Sequence, residues 1–251
     1  GLAGAPGEAS FYSLSGAEIH MYQSRLRENL PRVQEAIGQA AQRSGRDPSE
    51  VTLVAVTKAH PLEALEAAVG CGIQDLGENR VEELLEKVGL LGREAANWHM
   101  VGHVQSRKAR QVAQASHLIH SVDTLKLARK ISNFGKERAE PVPALLQVNL
   151  SGEEAKSGFS PESAVESIHQ AVELEGLDVK GLMTMAPFTD DEPLLRKVFG
   201  GLREIQARAE ELPGYFGREL SMGMTNDFEV AVEEGSTMVR IGTALLGERP
   251  R

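Results

Sequence analysis

The sequence has 251 residues, of which 41% are hydrophobic and 25% are charged. These proportions are typical of a folded globular protein and exclude the disordered and fibrous classes. The formal net charge is -9, which argues against a broad nucleic-acid-binding surface, because such surfaces need clustered positive charge. A phosphate group can still be bound locally, by backbone N–H groups and a single cationic side chain.

Cysteine content and hydropathy limit the compartment. Cys71 is the only cysteine, which excludes an internal disulfide and any CxxC metal or redox site. No segment approaches the roughly 20 apolar residues of a membrane span, and the first residues lack the pattern of a secretion signal. We therefore expect a cytoplasmic protein that binds neither membranes nor nucleic acid, with a flexible N-terminal tail over residues 1–15.

The predicted elements begin with a long helix over about residues 16–44, where apolar residues recur at helical spacing. Short apolar runs then alternate with helical patterns, which is typical of a parallel sheet with crossover helices. Strands are predicted near residues 51–57, 73–76, 98–101, 118–121, 144–149, 179–185, 219–221 and 238–241. Helices are predicted near residues 61–69, 80–88, 106–115, 124–134, 161–173, 192–211 and 227–234.

About eight strand–helix repeats, with no composition break or linker between them, favour a single (β/α)8 TIM barrel over residues 16–251. An open doubly wound sheet is the alternative. The strands near residues 73 and 219 are short, and the alternation of the neighbouring elements contributes to their placement.

Lys58 follows the first predicted strand, at the end where barrels of this kind place their active sites. Six residues suited to a buried strand precede it, so we expect partial desolvation to favour the neutral amine, which can attack a carbonyl and form a Schiff base. The alternative is a lysine that ends the strand and extends into water. The polar residues at the other strand ends favour the Schiff base.

The last two predicted strands end in groups suited to a phosphorylated ring. Ser221, Gly242 and Thr243 supply hydroxyl and unobstructed backbone N–H groups. Arg240 could point into the barrel mouth and donate to a ring nitrogen, which a permanent cation would keep unprotonated. Ordinary turn residues and an ion-paired surface arginine are the alternatives.

Six ordered segments of this sequence together resemble the pyridoxal phosphate homeostasis proteins. They are residues 54–58 (VAVTK), 77–80 (GENR), 98–105 (WHMVGHVQ), 181–185 (GLMTM), 221–224 (SMGM) and 239–243 (VRIGT). Departures are small: Thr225 stands where serine is common, and Val104 where leucine is common. Neither change puts the cofactor in doubt.

The resemblance implies a barrel of the alanine racemase N-terminal domain type that binds pyridoxal 5'-phosphate (PLP) as an aldimine on Lys58. By the same resemblance, Ser221, Gly242 and Thr243 are expected to contact the phosphate. Arg240 is the expected partner of the pyridine nitrogen, and Asn79 is an expected polar contact of the cofactor.

A racemase would need a second acid or base opposite the lysine. The tyrosines, at positions 12, 22 and 215, lie at no predicted strand end, and the sequence stops soon after the last strand. We therefore expect a monomeric or weakly dimeric PLP homeostasis protein, without catalytic residues, that supplies apo-enzymes. A small PLP-dependent racemase or decarboxylase using His103 or water is the alternative, and a cofactor-free Schiff-base aldolase is a third.

The remaining histidines are not expected to form a site. His99 and His103 are four residues apart but flank a strand end, so this spacing does not place them on one helical face as metal ligands. His117 and His120 are expected to have structural roles.

Overall fold

The computed structural model describes residues 16–152 and 157–248. Eight parallel strands form a closed barrel in which each strand pairs with the next and β8 pairs with β1. The strands are β1 (Thr52–Val56), β2 (Asp75–Glu78), β3 (Asn97–Met100), β4 (Leu118–Val122), β5 (Val142–Gln147), β6 (Leu177–Met183), β7 (Glu219–Met224) and β8 (Met238–Ile241). The predicted tail, residues 1–15, lies outside the described residues.

Helices surround the barrel and alternate with its strands. They are α1 (Gly16–Arg43), α2 (Leu62–Gly70), α3 (Val81–Leu91), α4 (Ala109–Ala115), α5 (Leu125–Glu137), α6 (Pro161–Val172), α7 (Glu192–Ala209), α8 (Phe228–Glu233) and α9 (Thr243–Leu246). Within the described ranges, no helix combines the length and apolar character needed to cross a bilayer. The predicted (β/α)8 barrel with an N-terminal helix is confirmed.

The two short strands occur as predicted, with different limits. β2 begins at Asp75, because Ile73 is part of the turn that follows α2. The Ile73 N–H donates to Ala68 O, and Gly72 adopts a positive φ of 87°. Such a turn satisfies the last carbonyls of a helix. β7 continues to Met224, three residues beyond its predicted end.

Side chains alternate between two buried layers along the strands, as the pleat requires. The outer layer packs under the helices and forms the larger apolar core. Leu118, Leu145, Met183 and Met238 form a separate cluster. The alternating positions along β4, β7 and β8 place His120, Ser221 and Arg240 on the same inward side as this cluster. The barrel interior therefore combines an apolar part with a polar part.

Helix α1 packs against helix α9. Arg25 Nη1 donates to Leu246 O at 2.6 Å, and Asn29 Nδ2 donates to Leu245 O at 3.0 Å. These carbonyls lie at the C-terminal end of α9, where a helix has no internal donors for them. Helix α1 thus fixes the short helix that follows Gly242.

Candidate functional site

A cavity lies at the carboxyl ends of the strands. Its lining comes from the ends of six strands: Val56, Lys58, Asn79, Val101, Met185, Ala186, Pro187, Phe188, Thr189, Met224, Thr225, Asn226, Asp227, Arg240, Gly242 and Thr243. Five of the six predicted site residues are among them, and Ser221 is not. The fold therefore brings together residues that are up to 185 positions apart in the sequence, from Lys58 to Thr243.

A buried ionic cluster lies next to Lys58. Glu78 Oε1 accepts hydrogen bonds from Thr57 Oγ1 and from Lys87 Nζ, the latter at 2.6 Å. Lys87 Nζ also donates to Thr57 O at 2.8 Å. This cluster ties the ends of β1 and β2 together immediately before Lys58 and Asn79. The two cavity residues are therefore held at a fixed separation.

The Glu78 carboxylate is only partly satisfied. Its side chain is fully buried, and Oε2 has no hydrogen-bond partner in the described part of the chain. Burial raises the pKa of Glu78, and the ammonium of Lys87 opposes this shift. A buried carboxylate of this kind depends on its cation, because desolvation disfavours an unpaired charge.

The loop after Lys58 is fixed on both sides. Ala59 has a positive φ of 58°, an uncommon conformation for a residue other than glycine, and its N–H donates to Glu83 Oε2 at 2.8 Å. His60 is buried and its Nδ1 lies 3.1 Å from the Tyr22 hydroxyl. Helix α1 therefore supports both the loop after Lys58 and helix α9.

Arg240 places a buried cation on the cavity wall. Its Nη1 donates to Ser221 Oγ at 2.5 Å and its Nη2 to Thr184 O at 2.9 Å. Burial lowers the pKa of Arg240 to about 10, while the carboxylate of Asp227 acts in the opposite direction. The guanidinium remains charged at neutral pH.

Ser221 lies behind the cavity wall. Its side chain is fully buried, and its oxygen contacts both Arg240 and Nδ1 of His120, the latter at 2.8 Å. The predicted contact of Ser221 with the phosphate stays a prediction. Thr225, on the loop after β7, does line the cavity and carries the same functional group.

The turn between these two residues requires glycine. Gly223 has a φ of 95°, and a Cβ at this position would lie 2.6 Å from Cβ of Ala231. Asp227 fixes the same turn, since its Oδ1 accepts the Met224 N–H at 2.5 Å. The backbone thereby directs Thr225 to the cavity.

Sequence reasoning missed a set of buried polar side chains inside the barrel. His99 Nδ1 lies 2.9 Å from His120 Nε2, and His99 Nε2 lies 2.9 Å from Asp75 Oδ1. Strand alternation places His120 on the same face as the core residue Leu118. That alternation could have indicated an interior position for His120, but the residues that His120 contacts lie on other strands.

His103 occupies a different place from His99. It is exposed, and its Nδ1 lies 3.0 Å from Oδ2 of the buried Asp123. Neither residue is part of the cavity lining. In the described ranges, no three His, Cys, Asp or Glu side chains are grouped so that they could hold a metal ion.

The buried tyrosines also lie away from the cavity. The Tyr22 hydroxyl contacts His60, and the Tyr215 hydroxyl donates to Gln206 Oε1 at 2.7 Å. Burial raises the pKa of Tyr215 above its usual range. Tyr12 lies outside the described residues. Neither buried tyrosine lines the cavity.

Comparison with known proteins identifies the family. Residues 24–250 match the family described as alanine racemase, N-terminal domain. The pyridoxal phosphate homeostasis protein of Pseudomonas aeruginosa is 40% identical over 227 residues, which are 90% of this chain and 96% of that protein. The chain belongs to the pyridoxal phosphate homeostasis protein family. The resemblance drawn from the six sequence segments is thereby confirmed.

Solved structures extend the comparison. PipY of Synechococcus elongatus PCC7942, a structure with PLP bound, is 34% identical, with a TM-score of 0.74 over 84% of this chain and 99% of PipY. Alanine racemase of Clostridium difficile 630 is 19% identical, with a TM-score of 0.70 over 91% of this chain and 58% of the racemase. This second similarity shows the fold alone. The chain thus combines a racemase-type barrel with membership of the homeostasis protein family.

Proposed function

We propose that this chain binds PLP covalently through Lys58 and acts in PLP homeostasis in the cytoplasm. The observation that carries the proposal is the cavity itself, which brings together one amine, one buried guanidinium, three hydroxyl side chains and a glycine. Membership of the homeostasis protein family supports the same function.

The residues of the cavity fit the cofactor group by group. Arg240 uses two of its N–H groups on Ser221 and Thr184, which leaves further donors for a pyridine nitrogen. Gly242 and Thr243, at the start of α9, and Thr225 supply N–H and hydroxyl groups for a phosphate. Asn79, after β2, provides an amide in the same lining.

PLP would supply an aldehyde that reacts with amines. Lys58 would hold the group through its side-chain amine, since an amine condenses with an aldehyde with loss of water. Arg240 would keep the pyridine nitrogen unprotonated, because a guanidinium has only N–H donors and the nitrogen must use its lone pair to accept from it. Its role is thus to bind the ring while restraining carbanion chemistry.

Storage and delivery of the cofactor, without amino-acid turnover, is the second part of the proposal. Tyr22 and Tyr215 are buried away from the cavity, and His103 does not line it, so these residues offer no acid or base opposite Lys58. The chain would act as a monomer or weak dimer and pass PLP to apo-enzymes. A cofactor-free aldolase is less well supported, because it gives Arg240 no role.

Absorption spectroscopy tests the covalent site. Wild type incubated with PLP should show a band between about 300 and 500 nm, where the polypeptide does not absorb. Borohydride should fix one cofactor on Lys58, which peptide mass spectrometry would locate. Lys58→Ala should lose the adduct, and Lys180→Ala, a half-exposed lysine paired with Asp178, should keep it. A reduced adduct on another lysine, or none, would reject the proposal.

Exchange of the amino-acid Cα hydrogen tests the absence of turnover. The loaded protein should exchange Cα deuterium of alanine no faster than free PLP does. Exchange that is faster than free PLP and that disappears in His103→Asn would instead support the small PLP enzyme. Exchange that persists in that variant would point to a bound water as the base.

A further inference from the structure

Five buried or half-buried side chains form a continuous hydrogen-bonded chain through the barrel. From Arg240, the contacts run to Ser221 at 2.5 Å and from Ser221 to His120 at 2.8 Å. They continue from His120 to His99 at 2.9 Å and from His99 to Asp75 at 2.9 Å. We call these five residues the interior relay.

The interior relay connects opposite ends of the barrel. Asp75 is the first residue of β2, so it lies at the amino end of the strands. Arg240 is the third residue of β8, and it lines the cavity at their carboxyl end. His99, His120 and Ser221 lie on β3, β4 and β7 and are each less than 4% exposed. The cavity is therefore linked to the far end of the barrel without passing through solvent.

In the arrangement inferred for the interior relay, every hydrogen bond points in one direction, from Arg240 towards Asp75. A guanidinium has only donors, so Ser221 Oγ accepts from Arg240. The single Ser221 hydroxyl proton is then donated to His120 Nδ1, its other neighbour. With Nδ1 as acceptor, neutral His120 carries its proton on Nε2 and donates to His99 Nδ1. His99 in turn donates from Nε2 to Asp75.

The charge states of Asp75 and His120 agree with this direction. Burial alone would raise the pKa of Asp75, but the hydrogen bonds from His99 and Asn97 leave it lowered. The carboxylate is therefore ionised and can only accept. Burial lowers the pKa of His120 well below 6.5, and the charge of Arg240 acts in the same sense. The imidazole in the middle is thus neutral, as the direction requires.

We propose that the interior relay fixes the orientation of the Arg240 guanidinium, with Ser221, His120 and His99 as positioning residues for its contact with the cofactor. This inference rests on the proposed function. The Nη1 contact with Ser221 and the Nη2 contact with Thr184 O define the plane of the group. The remaining N–H groups are then presented to the cavity in one orientation, at no cost in side-chain entropy upon binding.

Ser221 then has a role that a buried side chain can fulfil, which is to position Arg240. Ser221→Ala would remove the acceptor of Nη1 and leave His120 Nδ1 without a donor. Arg240 could then rotate about its side-chain bonds. Ser221→Thr would keep the hydroxyl and should keep the orientation.

Nitrogen-15 NMR of the cofactor-free protein tests the direction of the hydrogen bonds. His120 should accept at Nδ1 and donate from Nε2, and His99 should likewise accept at Nδ1 and donate from Nε2. This measurement uses wild type, so it does not depend on the folding of any variant. A proton on Nδ1 of His120, or a charged imidazolium at either position, would overturn the inference.

Spectra and release rates of bound PLP test the role of the interior relay. In Ser221→Ala and His120→Leu the absorption maximum should shift, because the ring nitrogen loses its fixed partner, and PLP should leave about tenfold faster, which is about 1.4 kcal/mol. Ser221→Thr should behave as wild type. His117→Asn is the matched control, since the half-buried side chain of His117 accepts the Trp98 N–H and has no described hydrogen bond to the interior relay.

The outcomes separate the two proposals. If wild type forms no adduct on Lys58, the proposed function fails and the role of the interior relay fails with it. If wild type forms the adduct but Ser221→Ala and His120→Leu keep its absorption maximum and release rate, the proposed function stands and the relay inference is overturned.

Discussion

Lys87 illustrates how single buried residues support the cavity. Its ammonium contacts Glu78 and the carbonyl of Thr57, and the side chain is only 10% exposed. The free carboxylate oxygen of Glu78 has no other partner among the described residues. Removing the Lys87 ammonium would leave the Glu78 carboxylate buried and unpaired. The resulting loss of folding stability is larger than the stability that the ion pair itself contributes.

We predict that Lys87→Met lowers the free energy of unfolding by about 3–5 kcal/mol. Urea denaturation at pH 7 measures the change. Glu78→Gln combined with Lys87→Met should recover part of the loss, because no charge then remains buried. Lys180→Met, which breaks an exposed pair with Asp178, should change stability by less than about 1 kcal/mol.

Protonation of His120 gives a second prediction at the residue scale. Its pKa is well below 6.5 in the folded protein and near the ordinary value of about 6.5 in the unfolded chain. The unfolded state therefore binds more protons than the folded state below about pH 6.5. The free energy of unfolding decreases as the pH falls below this value, by up to about 1.4 kcal/mol per pH unit.

Urea denaturation between pH 7 and pH 5 checks this dependence. His120→Gln removes the titrating group, so the decrease in stability should be shallower by about one proton. His169→Gln, at a half-exposed histidine of α6, should leave the decrease unchanged. An equal slope in wild type and His120→Gln would contradict the buried neutral imidazole.

At the scale of elements, helix α1 links two loops of the cavity. Tyr22 contacts His60, two residues after Lys58, and Arg25 and Asn29 bond the end of α9, which follows Gly242. Helix α1 thus restrains the proposed lysine and phosphate loops together. Its contribution should appear in cofactor retention as well as in stability.

We predict that Arg25→Met lowers stability by about 1–2 kcal/mol, because a buried carbonyl loses a charged donor. PLP release should accelerate in parallel, since α9 loses part of its support. Denaturation and stopped-flow release measure the two effects. Arg32→Met is the control on the same helix, because Arg32 pairs only with the exposed Glu28 among its described contacts. Equal effects of the two substitutions would contradict the role of α1.

At the scale of the whole molecule, the cavity joins six of the eight strand ends. A ligand bound there contacts distant parts of the sequence and binds the folded state alone. We predict that PLP at 100 times its dissociation constant stabilises the protein by about 2.7 kcal/mol, which thermal denaturation would detect. Lys58→Ala should show a smaller increase at the same concentration, and an equal increase would argue against the covalent bond.

Local sequence patterns predicted the element order, favoured a closed barrel over an open sheet, and placed five of the six predicted site residues at strand ends that the structure brings together. These follow from alternation and periodicity, which are local properties of the chain. Ile73 shows the limit of such patterns. It was predicted to begin β2, but it lies in the turn that ends helix α2, next to Gly72.

Only the tertiary structure decided which side chains meet inside the barrel. His120 contacts Ser221 across 101 positions, and Ser221 lies behind the cavity wall while Thr225 reaches it. Strand alternation indicates that a side chain points inward, but its neighbour there depends on how the closed barrel brings non-adjacent strands together. That closure sets the register between β3, β4, β7 and β8, and no local pattern in the sequence encodes it.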